Sequence, residues 1–413
     1  MSARTASATT ATPGRLPAAY MWWAIAAGTS TLGTSAFDFA MTWYATGISA
    51  GLTGLIGVLI TLPTAALLLV GGAVADRFGI RRLLIAGDTV MLLLSVFVVL
   101  AAAVAGVHPW LLIVVAIASG VEGAFYLPAS GVVPRLFVTG DDLPRATAFS
   151  STLAALARIA GPACGALLVT VLAFAGTAAV DAVTFALIVL VLWRIRPPYE
   201  HVTSAADGGL SILRPLGTVW RSASLRPVLV ATGAIAAAVL PAVIYGPSLL
   251  ARRSGWGPGA SGLVEAGWLV GGIAVTAVIA RRGTVRRIRL AVGIGLLIIA
   301  AGLLGTAVSP SPGSAFGCMI GVGVGVSVCT GHLWPAYLAA TPMDQLGRYQ
   351  SLLVFVQMAT LLVATVFFTS IAGGFGARSS LGCCAAVMWA TLAWWCAAGS
   401  PSQQVDPDQD QQH

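Results

Sequence analysis

The chain of 413 residues contains no lysine. A phosphate-binding loop of the Gly-x-x-x-x-Gly-Lys type cannot be built without one, so ATP-driven work by this chain alone is disfavoured. Charge of either sign is scarce. Asp, Glu, Lys and Arg together make up 9% of the residues, against about 25% in soluble domains. That is too little to coat a globule in water, and lipid must solvate the surface instead. The alternating segments of roughly ten residues that build an outer-membrane barrel are also missing. Six cysteines (Cys164, Cys318, Cys329, Cys383, Cys384 and Cys396) show no zinc spacing and no loop position suited to a disulfide. They read as small buried hydrophobes, with the adjacent Cys383-Cys384 pair the one oddity. With no metal-ligand cluster and no nucleophile–base pair in view, neither an enzyme nor a cofactor is expected.

What is present is apolar length. A membrane-crossing helix needs about 20 predominantly apolar residues. Breaks at charged, Pro or Gly positions leave twelve such runs, at roughly 20–46, 51–75, 83–105, 109–133, 147–172, 175–195, 226–250, 257–280, 289–308, 313–339, 350–373 and 378–398. An all-α membrane protein with twelve transmembrane helices follows.

All 22 basic residues are Arg, and their placement matters more than the net charge of +8. With the N-terminus in the cytoplasm, Arg252, Arg253 and Arg378 fall outside, Arg158 falls within a span, and every other Arg falls inside. The positive-inside rule favours this orientation, with both termini cytoplasmic. The basic loops are thus topology signals, and no nucleic-acid partner is expected. The first span is too long for the apolar region of a signal peptide.

The longest internal polar stretch, 196–225, divides the spans six and six. The expected organisation is a disordered tail at 1–19, a six-helix bundle at 20–195, a cytoplasmic linker at 196–225, a second bundle at 226–398 and a disordered tail at 399–413. The two halves also share a loop. ADRFGIRR (Ala75 to Arg82) follows span two, and ARRGTVRR (Ala280 to Arg287) follows span eight. Each places Arg-x-Gly and then Arg-Arg between two spans, as an internal repeat would.

The first of these loops, Gly72-Ala-Val-Ala-Asp76-Arg77-Phe-Gly79-Ile-Arg81-Arg82, resembles the Gly-x-x-x-Asp-Arg-x-Gly-basic-basic signature of the major facilitator superfamily, with Ile80 where that family often has a basic residue. The resemblance implies two pseudo-symmetric six-helix bundles and a gating role for the loop. Ala118 to Ala129 (ASGVEGAFYLPA), Val133-Pro134-Arg135 and Leu346-Gly347-Arg348 resemble the branch that holds drug and siderophore exporters. In span five, Gly161-Pro162-Ala-Cys-Gly165-Ala166 resembles the Gly-Pro-x-x-Gly-Gly motif of antiporters, with Ala166 in the last position. Physically, the proline removes a helical hydrogen bond and the glycines allow a bend and close packing. Gly317, Gly321 and Gly325 in span ten are read as close helix packing rather than a nucleotide loop.

The stretch Ser35-Ala-Phe-Asp38-Phe-Ala-Met-Thr-Trp43 places a carboxylate in apolar surroundings. Trp22/Trp23 and Trp43/Tyr44 look like interface anchors, about 31 Å of helix apart. Asp38 lies between them on a face with Thr31, Thr34, Ser35 and Thr42, which should line a cavity. A carboxylate there is costly unless hydrated, paired or protonated, and one that loads and unloads a proton suits proton-coupled transport. Glu122 in span four and Arg158 in span five sit at one depth, and a Glu122–Arg158 interaction, or a network shared with Asp38, is expected. Asp88 and Asp181 are expected to be structural. Glu265, His332, Tyr126 and Trp334, with Tyr337 near His332, are further candidates for the cavity wall.

The expectation is a monomeric secondary transporter in a plasma membrane, read as bacterial from its Lys-free, Ala/Gly/Arg-rich usage. It would export a small organic molecule of drug, antibiotic or siderophore type against protons. Alternatives are an importer of the same fold or a non-transporting receptor or scaffold. The substrate's identity is not legible.

Overall fold

The computed structural model describes residues 16–196, 198, 214–222, 225–283, 285, 287–341 and 346–397, and among them all regular structure is helical. The first half comprises α1 (Ala18–Ile48), α2 (Ala50–Phe78), α3 (Ile80–Ala105), α4 (Pro109–Phe137) and α5 (Leu143–Arg194). A short α6 (Arg214–Arg221) leads into the second half. That half holds α7 (Leu225–Ile244), α8 (Gly246–Arg253), α9 (Pro258–Arg282), α10 (Ile288–Val308), α11 (Pro312–Ala339), α12 (Leu346–Phe375) and α13 (Ala377–Ala397).

Ten of these helices are long and apolar enough to cross a membrane. One of the ten, α5, has 52 residues, which at about 1.5 Å each is more than twice the ~30 Å hydrocarbon core. It is two spans joined at Ala173, whose φ of 56° and ψ of −167° break the helix. A further span, α1, has 31 residues and is long enough to cross, but Thr, Ser and Asp38 dilute its apolar character. These two additions bring the spans to twelve, as the sequence implies.

The packing repeats between halves. In the first, α1 lies along α5, α2 along α4, and α3 along the second part of α5. In the second, α7 lies along α12, α9 along α11, and α10 along α13. These are the same pairings, span one with five, two with four and three with six. The two copies of the loop share one backbone feature. Gly79 and Gly283 each take a positive φ (85° and 75°) where the chain leaves the preceding helix, a conformation that favours glycine.

The bundles touch through α2 on α12 and α5 on α9, pairings that a twofold axis between the halves would exchange. Gly54 packs against Thr369, and Gly57 against Thr365 and Tyr245. Gly262 packs against Ala166, and a Cβ there would lie 3.2 Å from the Pro162 carbonyl. These contacts lie towards the end of the molecule that carries Arg252, Arg253 and Arg378.

The expected tails lie mostly outside the described residues, as does much of the expected linker. The linker's described part is not featureless: α6 packs on α7 and α12, with Val219 fully buried.

Candidate functional site

Small residues set the position of α1. Gly161 approaches Ser35, Gly165 approaches Ala36 and Phe39, and Gly33 approaches Thr184. The glycines of the span-five motif therefore pull α5 onto α1, as small residues do in membranes. Pro162 lies between them and cannot donate to the Arg158 carbonyl one turn back. Its own carbonyl faces Gly262 of the second bundle, so the motif sits where α1, α5 and α9 meet.

This packing leaves Asp38 facing open space. Its side chain is exposed although it lies mid-helix and is surrounded by protein on all sides at longer range. Tyr245, where α7 ends, lies within electrostatic range of it across the bundle interface. The rest of the stripe is divided. Thr34 donates to Asp181 Oδ1 at 3.4 Å, Thr31 returns to the Ala27 carbonyl at 2.8 Å, and Ser35 faces Gly161. The aromatic anchors divide as well. Trp22 is 64% exposed, as an interface residue would be, whereas Trp23 and Trp43 are buried.

Glu122, half-buried in α4, has Asp88, Asp38 and Asp181 within electrostatic range, Asp88 acting most strongly. Tyr126, one turn along, is in range of Asp88 and Glu122. Asp181 also receives the Ser95 hydroxyl on Oδ2 at 3.0 Å. Asp88 is 1% exposed, and its Oδ2 has no hydrogen-bond partner. Four carboxylates from four spans thus converge inside the first bundle. The sequence reading set Asp88 and Asp181 apart as structural and did not join them to Glu122. Their meeting depends on α3 packing against the second part of α5, which no local pattern reveals.

The expected Glu122–Arg158 interaction is absent from this arrangement. Arg158 is exposed, and the charges acting on Glu122 are all carboxylates. The reason is helix packing: α4 lies on α2 and α3, while the first part of α5 lies on α1 and α9, so equal depth does not make the two neighbours. Arg158 is instead one turn from Pro162. On the facing helix, Glu265 is about one turn from Gly262 in the same direction and is half-buried. Arg158 and Glu265 therefore stand at similar depth on opposite sides of the bundle interface.

His332 does not offer a free ring. It is 4% exposed, its Nδ1 lies 2.8 Å from the Val328 carbonyl, and its Nε2 accepts the Val285 amide at 3.0 Å. Those partners select the tautomer with the proton on Nδ1. The ring anchors the second Arg-rich loop to α11. Tyr337 is fully buried and donates to the Tyr349 carbonyl at 3.0 Å, and Trp334 is half-buried against the second bundle's core.

In the first Arg-rich loop, Arg81 caps the end of α5. Its Nε and Nη2 donate to the Leu192 carbonyl at 3.0 and 2.7 Å, and further bonds reach Trp193 and Ile195. Such cations at a helix C-terminus satisfy otherwise orphaned carbonyls. Arg77 and Arg82 are exposed, and the side chains at Gly72, Asp76 and Arg348 lie outside the described residues. Of the three span-ten glycines picked out in the sequence, Gly325 makes a close approach, to the Gly295 carbonyl, whereas Gly321 meets Ile298 at ordinary contact distance and Gly317 faces open space. Gly323 and Gly331 of the same helix make further close approaches, to Trp268 and Ile279. No group of His, Cys, Asp and Glu among the described residues is arranged to hold a metal ion.

The sequence profile described as Major Facilitator Superfamily matches residues 23–365. Comparison with curated proteins gave no match. The fold is similar to a crystal structure of the nucleoside transporter NupG, with a TM-score of 0.72 at 10% identity, over 92% of this chain and 100% of that one. It is also similar to a bacterial homologue of the human lysosomal transporter Spinster in an inward-facing, unoccupied conformation (TM-score 0.68, 15% identity, 94% of this chain and 100% of that one). A POT family transporter in complex with 5-aminolevulinic acid gives a TM-score of 0.69 at 11% identity, over 92% of this chain and 96% of that one.

Proposed function

We propose that this chain, which belongs to the major facilitator superfamily, exports a small organic molecule in exchange for protons, its two six-helix bundles rocking about a central cavity. The observation that carries the reading is the carboxylate cluster of the first bundle. Asp38 faces open space beside the second bundle, and behind it stand Glu122, Asp181 and Asp88, with no basic side chain of the described residues among the charges acting on them. A carboxylate without a cation in that setting is stabilised by taking up a proton or a substrate cation. One group serving both in turn is the simplest form of exchange.

Export is supported by the span-five motif. Gly161, Pro162 and Gly165 act where α5 meets both α1 and α9, so a bend there moves one bundle against the other. In our reading the Arg-rich end is cytoplasmic, and the contacts of Gly54, Gly57 and Gly262 close the outer end. Arg158 and Glu265, at similar depth on facing helices, then come together when the cytoplasmic end closes and separate when it opens. The protein works as a monomer in a bacterial plasma membrane, and the substrate belongs to the drug, antibiotic or siderophore class.

The test is cellular retention of a compound panel in an efflux-deficient host, with and without an uncoupler. Lower retention that the uncoupler reverses supports proton-driven export. Higher retention of a compound, driven by the proton gradient, overturns export in favour of import.

A further inference from the structure

Arg253 and Arg378, two of the three arginines at the end away from the basic loops, converge on one pocket of about 430 Å³, together with Ser254, Trp256 and Phe375. Each guanidinium is held by one backbone carbonyl. Arg253 Nη2 donates to Ala372 at 3.3 Å and Arg378 Nη2 to Ser309 at 3.5 Å. Those bonds leave other N–H groups for a ligand, since each guanidinium has five. No carboxylate is among the described residues that line the pocket. Two like charges in one pocket repel, and an anion between them reverses the sign of that interaction. The pocket also includes Ala377, the first residue of α13, where unpaired helix N–H groups favour negative charge.

One turn along α12 from this pocket lies a second feature. Val363, Phe367, Ile371 and Phe375 are spaced by four on α12 and form one stripe. Phe375 lines the arginine pocket. The other three line an apolar groove of about 550 Å³ between α7, α12 and α13. The groove exists because α7 presents only Ala237 and Ala238 there, while Val363 and Phe367 stand exposed at its edge. From Val363 to Phe375 is about 18 Å of helix, on the order of one leaflet of a ~30 Å hydrocarbon core. An anionic head joined to a hydrocarbon tail matches both parts, and the bilayer presents such molecules at this depth.

We propose that an anionic glycerophospholipid binds here, with its phosphate between Arg253 and Arg378 and an acyl chain along the α12 stripe. The full-length chain, purified in detergent, is titrated by native mass spectrometry with phosphatidylglycerol and with phosphatidylcholine of the same acyl chains. Glycerol phosphate is the headgroup-only competitor. Wild type binds the anionic lipid about tenfold more tightly, the scale of one charge-assisted contact. R253Q/R378Q loses that preference, Ala364→Phe weakens both lipids by narrowing the groove, and glycerol phosphate does not compete. Equal binding of both lipids by wild type overturns the proposal, and that result needs no variant to fold. An undiminished preference in R253Q/R378Q also overturns it. Displacement by glycerol phosphate overturns the lipid in favour of a free phosphate site.

Discussion

The guanidinium of Arg252 in α8 lies 4.0 Å from the centre of the Trp43 ring in α1, and its Nη2 donates to the Trp43 carbonyl at 2.9 Å. One side chain thus holds both the ring and the backbone of the same residue in the opposite bundle. The bond also explains why Trp43 is buried rather than spread at the membrane surface. Gly47, one turn further, leaves room for the guanidinium: a Cβ there would lie 2.8 Å from Nη2.

Breaking this contact should favour opening at that end. A cation–π contact is worth about 0.5–2 kcal/mol and a charged hydrogen bond about 1.5–3. Arg252→Ala is therefore expected to raise the population open at that end by about tenfold or more. Spin-label distances between α1 and α8 would report it, and an unchanged distribution would show that the contact does not latch the bundles.

Gly262 governs the second closure. Any Cβ there meets Ala166 and presses on the Pro162 carbonyl, so Gly262→Val should hold α5 and α9 apart. Transport is expected to fall at least tenfold at unchanged expression, with cysteines introduced near that end becoming more reactive. Wild-type flux by Gly262→Val would mean that the α5–α9 approach is not needed in the cycle.

Much of the architecture was legible because it rests on local chemistry. The twelve spans, the six-plus-six division and the repeat through Gly79 and Gly283 all follow from runs of apolar residues and from punctuation. What was not legible was rotation about helix axes and the choice of neighbours. Equal depth suggested Glu122 with Arg158, whereas α4 and the first part of α5 pack on different partners. The same blindness hid the meeting of Asp88 and Asp181 with Glu122. Tyr245 was missed because it lies within an apolar run and its neighbour Asp38 belongs to the other bundle. The helical period of one span puts Thr34, Ser35 and Asp38 on one side, but not their different fates: Thr34 turns to Asp181 and Ser35 to Gly161, while Asp38 is exposed.

His332 is expected to matter for stability and not for coupling. His332→Phe removes the ring's bonds to the Val285 amide and the Val328 carbonyl, each worth about 0.5–1.5 kcal/mol. The melting temperature should drop while the pH profile of transport keeps its shape. A displaced pH profile in a variant of normal stability would place His332 on the proton path.

The Arg158–Glu265 relationship is open to charge exchange. Arg158→Glu and Glu265→Arg should each impair transport strongly, and the double exchange should recover a substantial part of it, since a close pair couples by about 0.5–3 kcal/mol. Strictly additive losses would show that the two never meet.

The central claim is that Asp38 carries the proton that drives export, and proton movement measures it directly. Inverted vesicles holding wild type or Asp38→Asn at matched levels are given a transported compound while internal pH is followed. Wild type should release protons from the vesicles as the compound enters, and Asp38→Asn should bind the compound yet move no protons. Proton release from Asp38→Asn vesicles equal to that of wild type would contradict the account.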